Sequence, residues 1–310
     1  MKLGLALGGG GAKGFAHLGV LKIFEEAGVR FDVVAGSSIG SFVGAIYAGG
    51  TLKHFEREVL DIKLTDIPLL LSPAWSLSGF FSGENALDML FAVLEAENIE
   101  DLKLPFAAVS VDLETSLPVV FRSGSLRHAI RSSISIPAIF TPVPSEQMLL
   151  VDGSMLEPVP IHTARELGAD FVVAIDLFGN RGVALEPDRP EEPKKPRSLL
   201  NAIQHLKSLS AKLPWGERLI SGDVKPRSIP TVVEIVERTL AVSQRTLTEY
   251  RLKECPPDVL VQPAVGDIGL LDFHRGALGI ERGMQAGREA LPRVLEALEH
   301  AKAHAGDSGS

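Results

Sequence analysis

Two short apolar segments, residues 2–7 and 31–36, are each followed by a glycine-containing turn and then by a helix-compatible segment. The two helices are predicted at 14–28 and 39–48. Alternation of strands and helices is typical of β-α-β units, which place their strands parallel in one sheet. The strands are apolar at nearly every position, so both faces of the sheet must be covered. The pattern therefore predicts an α/β fold, a three-layer α/β/α domain with a mainly parallel sheet.

The same alternation continues along the chain and defines one large domain. Later strands are predicted at 105–113, 117–121, 148–153, 170–177 and 258–263, and later helices at 160–168, 229–253 and within 273–303. Residues 180–197 are rich in proline and charge and lack an apolar period, which is typical of a connecting loop. We therefore predict a single domain over residues 1–300, with a basic helical insertion at 198–228 and a frayed tail at 301–310.

The composition excludes several classes of protein. The 310 residues are 45% apolar and 23% charged, as in ordinary globular proteins, which excludes a disordered or fibrous chain. The net charge of −8 has the wrong sign for a protein that binds nucleic acid through its phosphates. A single cysteine, Cys255, can form neither an intrachain disulfide nor a thiolate metal cluster. Since the N-terminal sequence also lacks the pattern of a secretory signal, we expect a cytoplasmic protein.

The glycine loop, residues 8–14, lies between the first predicted strand and the first predicted helix. Its glycines would leave several backbone amides exposed, and the positive end of the following helix adds to their attraction for an anion. The loop lacks the Gly-Lys-Ser/Thr of a nucleotide P-loop. Gly9, Gly11 and Gly14 match a dinucleotide-binding pattern, but the acid that holds the ribose belongs at the end of the second strand, and Asp32 stands at its start. A dinucleotide, a reaction oxyanion and a purely structural turn remain open at this point.

A second motif, Gly36-Ser37-Ser38-Ile39-Gly40, stands at the junction of a predicted strand and a predicted helix. In that context G-x-S-x-G is typical of a nucleophile elbow, in which the serine sits on a strained turn. Gly36 and Gly40 relieve crowding, and the helix N-terminus behind Ser38 stabilises negative charge that develops during acyl transfer. The surrounding stretch 33–52 carries no charge, but its glycines and serines favour a strand, a turn and a buried helix over a membrane span.

A serine hydroxyl needs a base before it can act as a nucleophile, and the sequence offers several. Three aspartates follow apolar strands at equivalent places, namely Asp112, Asp152 and Asp176. Eight histidines are scattered without diagnostic spacing, and His17 lies on an apolar helix, where we expect it to be packed or to cap a neighbouring group. The residues alone therefore do not identify the base.

Together these motifs resemble the patatin-like phospholipases, more closely the bacterial patatin-like serine esterases of about this length. Residues 9–14 are similar to the oxyanion-hole loop of that family, residues 36–40 to its serine elbow, and Asp152-Gly153 to the second half of its Ser-Asp dyad. The stretch RSSISIPAIFTPV at 131–143 is similar to a segment that the family carries shortly before its aspartate.

The resemblance covers residues 2–179 and returns near 258–295, and it implies a serine acyl hydrolase with a patatin-like fold. In the implied mechanism Ser38 attacks an ester carbonyl, Asp152 accepts the serine proton, and backbone amides hold the oxyanion. The remaining roles fall to Gly9, Gly10 and Gly11 in the oxyanion hole, and to Lys13, Gly14, Gly36, Gly40 and Gly153 as supports of the substrate or the loops. No metal or cofactor is implied, and the expected substrate is a lipid acyl ester.

Three residues depart from the family pattern. Lys13 stands where arginine is most frequent, so a compact ammonium group replaces a planar guanidinium that could donate two parallel hydrogen bonds. Ser154 stands where glycine or alanine is usual and Glu157 where asparagine is frequent, so we expect the loop after Asp152 to be held differently. A generic carboxylesterase or thioesterase remains an alternative, as does a non-catalytic nucleotide-binding module built on the glycine loop.

Two further segments bear on the substrate. Residues 67–83 are apolar and uncharged, which suits an acyl pocket, a lid or a buried crossover. Residues 198–215 place leucines at helical spacing with Lys207 and Lys212 off the apolar stripe, which is typical of a basic interfacial helix. We predict that this segment either makes a peripheral membrane contact or packs as an ordinary surface helix.

Overall fold

A computed structural model describes residues 1–74, 78–179 and 232–307. The chain divides into two compact units, of which one comprises Met1–Gly182 with Val236–Ser310 and the other comprises Val183–Ile235. The predicted loop at 180–197 and the predicted basic insertion at 198–228, with its candidate interfacial helix at 198–215, lie outside the described residues. The candidate site lies entirely in the first unit.

The described residues form short strands and helices in alternation. The strands are β1 (Leu3–Leu7), β2 (Val33–Ser37), β3 (Gly79–Phe81), β4 (Phe106–Asp112), β5 (Leu117–Phe121), β6 (Ala138–Phe140), β7 (Val143–Ser145), β8 (Met148–Asp152), β9 (Phe171–Ile175) and β10 (Val259–Val261). The α-helices are α1 (Phe15–Glu26), α2 (Ile39–Gly49), α3 (Leu52–Asp61), α4 (Ile67–Leu71), α5 (Glu84–Val93), α6 (Leu126–Ser133), α7 (Ile161–Glu166), α8 (Val232–Glu254) and α9 (Gly276–Asp307).

The main sheet has the strand order β10-β9-β1-β2-β4-β8-β7, and β5 also pairs with β4. Strands β10, β9, β1, β2 and β4 are mutually parallel. Strands β5 and β8 run antiparallel to β4, and β7 runs antiparallel to β8. The sheet is therefore mainly parallel, as the alternation of strands and helices predicts.

Strand β4 brings the ends of β2 and β8 together. One edge of β4 pairs with β5, and the other edge is shared by β2 and β8. Strand β2 runs parallel to the first half of β4, where Ser37 lies opposite Val109. Strand β8 runs antiparallel to the second half, where Asp152 lies opposite Ser110. Because Val109 and Ser110 are consecutive, the carboxyl ends of β2 and β8 meet head to head.

Helices cover both faces of this sheet. On β1, Leu3, Leu5 and Leu7 belong to the larger buried cluster, to which α1, α2 and α9 also contribute. Ala6, which points to the opposite face, belongs to a second cluster that includes residues of α7 and is packed against α8. The alternation of neighbouring residues between two clusters explains why the strands are apolar throughout. The fold is thus the predicted three-layer α/β/α arrangement.

Several elements between α2 and β8 were not predicted from the sequence. Helices α3 and α5 place Phe55 and Leu87 in the larger cluster, whereas α4 contributes Leu71 to a third cluster together with Phe140 of β6. At the other end of the chain, the last helix continues to Asp307, past its predicted end at 303.

None of the helices in the described part of the chain combines the length and the apolar character needed to cross a membrane. The uncharged stretch at 33–52 forms β2, a turn and α2 with buried side chains, as its glycines and serines predict.

Candidate active site

Ser38 lies on the turn between β2 and α2. Its φ of 54° falls in a region that residues with side chains rarely adopt, so the turn is strained. The turn is also crowded, because a Cβ on Gly36 would lie 2.4 Å from the Gly40 carbonyl oxygen, and a Cβ on Gly40 would lie 2.1 Å from the Leu7 carbonyl oxygen. The glycines on either side of Ser38 therefore permit the geometry of a nucleophile elbow.

Asp152 ends β8 and meets Ser38 across the gap between β2 and β8. The Ser38 hydroxyl donates a hydrogen bond of 2.5 Å to Oδ2 of Asp152. The other carboxylate oxygen, Oδ1, accepts the backbone amide of Ser154 at 2.8 Å. Both side chains of the pair are buried. The arrangement holds a nucleophile and a carboxylate in direct contact and largely away from water.

The surroundings of Asp152 change its acidity. Burial raises the pKa of this carboxyl to about 6, and hydrogen bonds from Ser38 and Ser154 oppose that rise. A general base works best when its pKa lies close to the operating pH. Asp152 is therefore ionised near neutral pH, yet it is more basic than an ordinary aspartate.

Two buried serines fix the backbone of the Ser38 turn. The Ser38 amide donates to Oγ of Ser133 at 3.0 Å, and the Ser133 hydroxyl donates to the Val109 carbonyl at 2.6 Å. The Ser41 hydroxyl donates to the Ser38 carbonyl at 2.7 Å. Sequence reasoning assigned no role to either serine. The one signal for Ser133 was its place in the segment 131–143.

Arg131 organises the same segment from the end of α6. Its guanidinium donates to Oγ of Ser135 at 2.6 Å, and to the carbonyl and hydroxyl oxygens of Thr141 at 2.9 and 2.7 Å. The Ser135 carbonyl in turn accepts the backbone amide of Asp152 at 3.0 Å. Arg131 thus links the segment before β7 to the position of the carboxylate, a role that sequence reasoning missed.

The other two strand-end aspartates close local turns. Asp112 accepts the amides of Glu114 and Leu149 and both the amide and the hydroxyl of Thr115. Asp176 accepts the backbone amide of Phe178 and the side-chain amide of Gln262, each at 2.9 Å. Of these three aspartates, Asp152 is the one that the fold brings to Ser38.

His17 is fully buried and serves the glycine loop. Its Nε2 lies 2.8 Å from the Gly8 carbonyl oxygen. Burial lowers the pKa of the imidazole to about 4, so the ring is neutral at neutral pH and Nε2 donates. Its Nδ1 has no hydrogen-bond partner among the described residues. The prediction that His17 is packed or caps a neighbouring group is therefore confirmed. His162, by contrast, lies exposed beside Glu166 on α7.

The glycine loop passes directly beside Ser38. A Cβ on Gly9 would lie 2.0 Å from Oγ of Ser154 and 3.1 Å from the Ser38 Cβ, so a side chain does not fit there. The Gly9 amide donates to the Pro158 carbonyl at 2.9 Å. The amides of Gly10 and Gly11 donate to no group within the described residues. Of the three glycines predicted for an oxyanion hole, Gly9 therefore provides space, whereas Gly10 and Gly11 provide free amides.

The predicted supporting residues pack the loops around Ser38. A Cβ on Gly14 would lie 2.3 Å from the Ile39 side chain, and one on Gly153 would lie 2.1 Å from the Val109 carbonyl oxygen. The Lys13 ammonium lies 4.6 Å from the centre of the Phe178 ring. Burial lowers the pKa of Lys13, while the nearby carboxylate of Glu237 raises it.

Asp32, the candidate acid of the dinucleotide alternative, does not lie beside the glycine loop. Asp32 accepts the backbone amide of Leu3 at 2.7 Å, at the start of β1, whereas the glycine loop follows the end of that strand. Asp32 and the glycine loop therefore lie at opposite ends of the parallel strands. Among the described residues, no group of three His, Cys, Asp or Glu side chains is arranged to bind a metal ion.

A partly open apolar cavity lies beside Ser38 and Gly11. Side chains of α2, α3, α4 and α5 line it, together with Ile134, Ile136, Phe140 and Phe273, and none of the described lining residues is charged. Leu70 and Leu71 bring the apolar segment 67–83 into this wall.

Other parts of the segment 67–83 do not line the cavity. Leu69 and Phe80 are exposed to solvent, and Trp75 and Leu77 lie outside the described residues. The segment is thus partly a pocket wall and partly surface.

Comparisons with known proteins find related sequences. The sequence pattern of the family described as patatin-like phospholipase matches residues 5–165. An uncharacterised NTE family protein of Mycobacterium tuberculosis is 29% identical, over 96% of this chain and 92% of that protein. Human patatin-like phospholipase domain-containing protein 6 is 37% identical over 56% of this chain, and lysophospholipase NTE1 of Pyricularia oryzae is 29% identical over 95% of it.

The chain spans 13% of the human protein and 19% of the fungal one. Among solved structures, VipD from Legionella pneumophila aligns with a TM-score of 0.43 and 14% identity, over 93% of this chain and 67% of that chain.

Proposed function

The chain belongs to the patatin-like phospholipase family and is a hydrolase of ester bonds, and from that premise we propose that it cleaves lipid acyl esters with Ser38 as the nucleophile and Asp152 as the general base. The observation that carries the proposal is the hydrogen bond of 2.5 Å between the Ser38 hydroxyl and Oδ2 of Asp152, beside an apolar cavity. A nucleophile in contact with its base at a pocket wall is the arrangement that acyl transfer requires.

In the first half of the reaction, Oγ of Ser38 attacks the ester carbonyl carbon while its proton passes to Oδ2 of Asp152. The carbonyl π electrons move to oxygen, and the resulting oxyanion is held by the free amides of Gly10 and Gly11. The tetrahedral intermediate then collapses, the ester C–O bond breaks, and Asp152 returns its proton to the leaving alkoxide. The products of this half are an acyl-Ser38 ester and a free alcohol.

In the second half, water takes the place of the alcohol. Asp152 accepts a proton from the water molecule as its oxygen attacks the acyl-Ser38 carbonyl, and the same two amides hold the oxyanion. Collapse releases the carboxylic acid and restores the Ser38 hydroxyl with the proton held by Asp152. No histidine takes part, which agrees with the low pKa of His17 and the exposed position of His162.

The cavity supports an acyl chain as the group that is recognised. Its described walls are aliphatic and aromatic and carry no charged side chain, as in sites that bind apolar ligands. An apolar chain gains free energy by leaving water for such a pocket. Relatives are named as phospholipase-domain and lysophospholipase proteins, which supports a phospholipid or lysophospholipid over a small soluble ester or a thioester.

The proposal is tested with Ser38→Ala, which removes the nucleophile but leaves a small side chain on the strained turn. We expect turnover of p-nitrophenyl esters and of lysophospholipid to fall by about 10⁴-fold or more, and labelling by a fluorophosphonate probe to disappear. Ser116→Ala is the matched control, because Ser116 is an exposed serine with a similar φ of 58°. Unchanged turnover in Ser38→Ala would contradict the proposal.

A series of esters identifies the substrate class. We expect kcat/KM to rise with acyl length, and oxygen esters to be cleaved faster than thioesters of the same chain. A preference for acetyl esters would favour the generic carboxylesterase, and a preference for thioesters would favour the thioesterase.

A further inference from the structure

A chain of hydrogen bonds connects α8 to the glycine loop. The Ala12 amide donates to the Leu270 carbonyl at 2.9 Å. The Leu270 amide donates to Oε1 of Glu237 at 2.6 Å. Leu270 is therefore held on one side by a side chain of α8 and holds the glycine loop on the other.

The contact between Leu270 and the glycine loop is close. A Cβ on Gly11 would lie 2.4 Å from the Leu270 carbonyl oxygen and 2.6 Å from its Cδ1. Gly11 has a φ of 58°, which places this residue in the left-handed region that favours glycine. A shift of Leu270 would consequently shift the backbone that carries the free amides of Gly10 and Gly11.

Apolar packing reinforces the same connection. Val236 and Leu240 of α8 pack against the third buried cluster, as do Leu270 and Phe273. Phe273 lines the cavity beside Ser38 and contacts Phe15 edge to face, with ring centres 5.9 Å apart. The segment that contains Leu270 therefore lies between α8 and the candidate site.

Glu237 contacts both the Leu270 backbone and the surroundings of Lys13. It is partly buried, and its carboxylate also acts on the Lys13 ammonium, whose pKa it raises. Glu237 therefore supplies the acceptor oxygen that holds the Leu270 amide, and a neutral side chain with a carbonyl oxygen could supply the same acceptor.

We propose that Glu237 is a positioning residue for ester hydrolysis, which fixes Leu270 and thereby sets the glycine-loop amides at the place where the oxyanion forms. This inference rests on the proposed function. Glu237 does not touch the substrate, so it acts on the transition state through the loop. Its loss should reduce kcat and leave KM for a short soluble ester nearly unchanged.

The size of the effect follows from the geometry of oxyanion holes. Loss of one oxyanion donor typically costs about 10²- to 10³-fold in kcat, and a displaced donor should cost less. For Glu237→Ala we expect kcat for p-nitrophenyl butyrate to fall by about tenfold to a hundredfold, with KM within about threefold. The rate of fluorophosphonate labelling should fall in parallel, because the phosphonyl oxygen uses the same amides.

Glu237→Gln separates the hydrogen bond from the charge. Glutamine keeps a carbonyl oxygen that can accept the Leu270 amide but removes the negative charge near Lys13. We expect Glu237→Gln to restore kcat to within about threefold of wild type. Glu249→Ala is the matched control, because Glu249 is an exposed glutamate on the same helix, and it should retain wild-type kcat and KM.

Each outcome bears on the proposal. Wild-type kcat in Glu237→Ala would overturn it, and so would a loss that glutamine does not rescue, since the charge would then be the active feature. A loss of kcat that is fully explained by a smaller folded fraction in circular dichroism and active-site titration would also overturn it. Failure of the proposed function would be seen in a different measurement. In that case, ester hydrolysis would be the same in Ser38→Ala as in wild type.

Discussion

Asp112 and Asp152 end neighbouring antiparallel strands and follow similar apolar sequences, yet their surroundings differ sharply. Asp112 accepts three backbone amides and one hydroxyl, and the hydroxyl of Thr115 is the main cause of its lowered pKa. Asp152 accepts one amide and the Ser38 hydroxyl, and burial raises its pKa to about 6. The first carboxylate is stabilised as an anion, and the second is kept ready to accept a proton.

The difference between the two aspartates follows from the number of donors that surround each carboxylate. Hydrogen bonds to the ionised form lower a carboxyl pKa, whereas removal from water raises it. A carboxylate with four donors gains little by accepting a proton. A buried carboxylate with two donors, one of which is the nucleophile, can accept the proton of that nucleophile. The comparison therefore separates a structural turn from a candidate base.

The largest predicted effect is that of Asp152→Asn. Asparagine preserves the size of the side chain but cannot accept a proton, so we expect kcat for p-nitrophenyl esters to fall by about 10³-fold or more. The measurement is steady-state turnover at pH 8, with active-site titration to count folded enzyme. His162→Gln is the control and should retain most of the activity. Loss of activity in the histidine variant with retention in Asp152→Asn would reveal a different base.

The same substitution at the end of β4, Asp112→Asn, should reduce stability and leave turnover nearly unchanged. Asp112→Asn keeps one acceptor oxygen and replaces the other with an NH2 group that cannot accept a hydrogen bond, so we expect a loss of about 1 to 2 kcal/mol in the free energy of unfolding. Turnover should stay within about twofold of wild type once the folded fraction is taken into account. Urea denaturation and turnover on the same samples test both expectations. A selective loss of kcat in Asp112→Asn would remove the contrast between the two aspartates.

The pH dependence of the reaction sharpens the comparison further. Asp152 must be ionised to accept the Ser38 proton, and its pKa is about 6. We therefore expect kcat/KM to be constant above this value and to fall by about tenfold per pH unit below it. Asp112 has a lowered pKa and should add no inflection near pH 6. A profile that stays flat down to pH 4.5 would show that Asp152 is not desolvated in solution.

The last predicted effect concerns the pH dependence of stability and a buried base, His17, instead of a buried acid. The pKa of His17 is lowered from 6.5 to about 4, so the unfolded chain binds a proton here more readily than the folded chain. The contribution of neutral His17 to stability is complete above about pH 6.5 and is lost as the pH falls towards 4. At pH 5 the loss is about 2 kcal/mol relative to pH 7.5.

His17→Gln provides the test of this contribution. The glutamine amide can still donate to the Gly8 carbonyl, but it does not titrate. We expect the difference in unfolding free energy between pH 7.5 and pH 5 to be smaller in the variant than in wild type by about 2 kcal/mol, measured by urea denaturation. An equal pH dependence in the two proteins would show that His17 does not resist protonation in the folded state.

Local features of the site were predictable because local residues determine them. Gly36 is required by the Gly40 carbonyl four residues later, so the G-x-S-x-G pattern predicts the strained turn at Ser38, whereas Gly40 is required by the Leu7 carbonyl at the end of β1. The glycine loop was predicted for the same reason. The missed helix α3 also carried a signal, because Leu52, Phe55 and Val59 are buried at helical spacing, yet the segment was not assigned to an element.

The identity of the amide donors required the folded chain. The consecutive glycines at 8–11 are equivalent in sequence, but the Gly9 amide donates to the carbonyl of Pro158, which lies far along the chain. The anchors of the site, Ser133 and Arg131, were likewise not recognised from their local sequence, because a serine or an arginine becomes a positioning residue only through the groups that it meets.

The sequence by itself determined the parallel α/β architecture and the strained serine, since both depend on apolar periodicity and on glycines close to the affected residues. The residues alone left the choice of aspartate open, the resemblance to the family pointed to Asp152, and the tertiary structure shows Asp152 in contact with Ser38. Ser38 and Asp152 are 114 positions apart, and they touch because β2 and β8 share one edge of β4. Strand pairing over such a distance cannot be read from the residues next to an aspartate, so without the family resemblance Asp152 was not distinguished from Asp112 or Asp176.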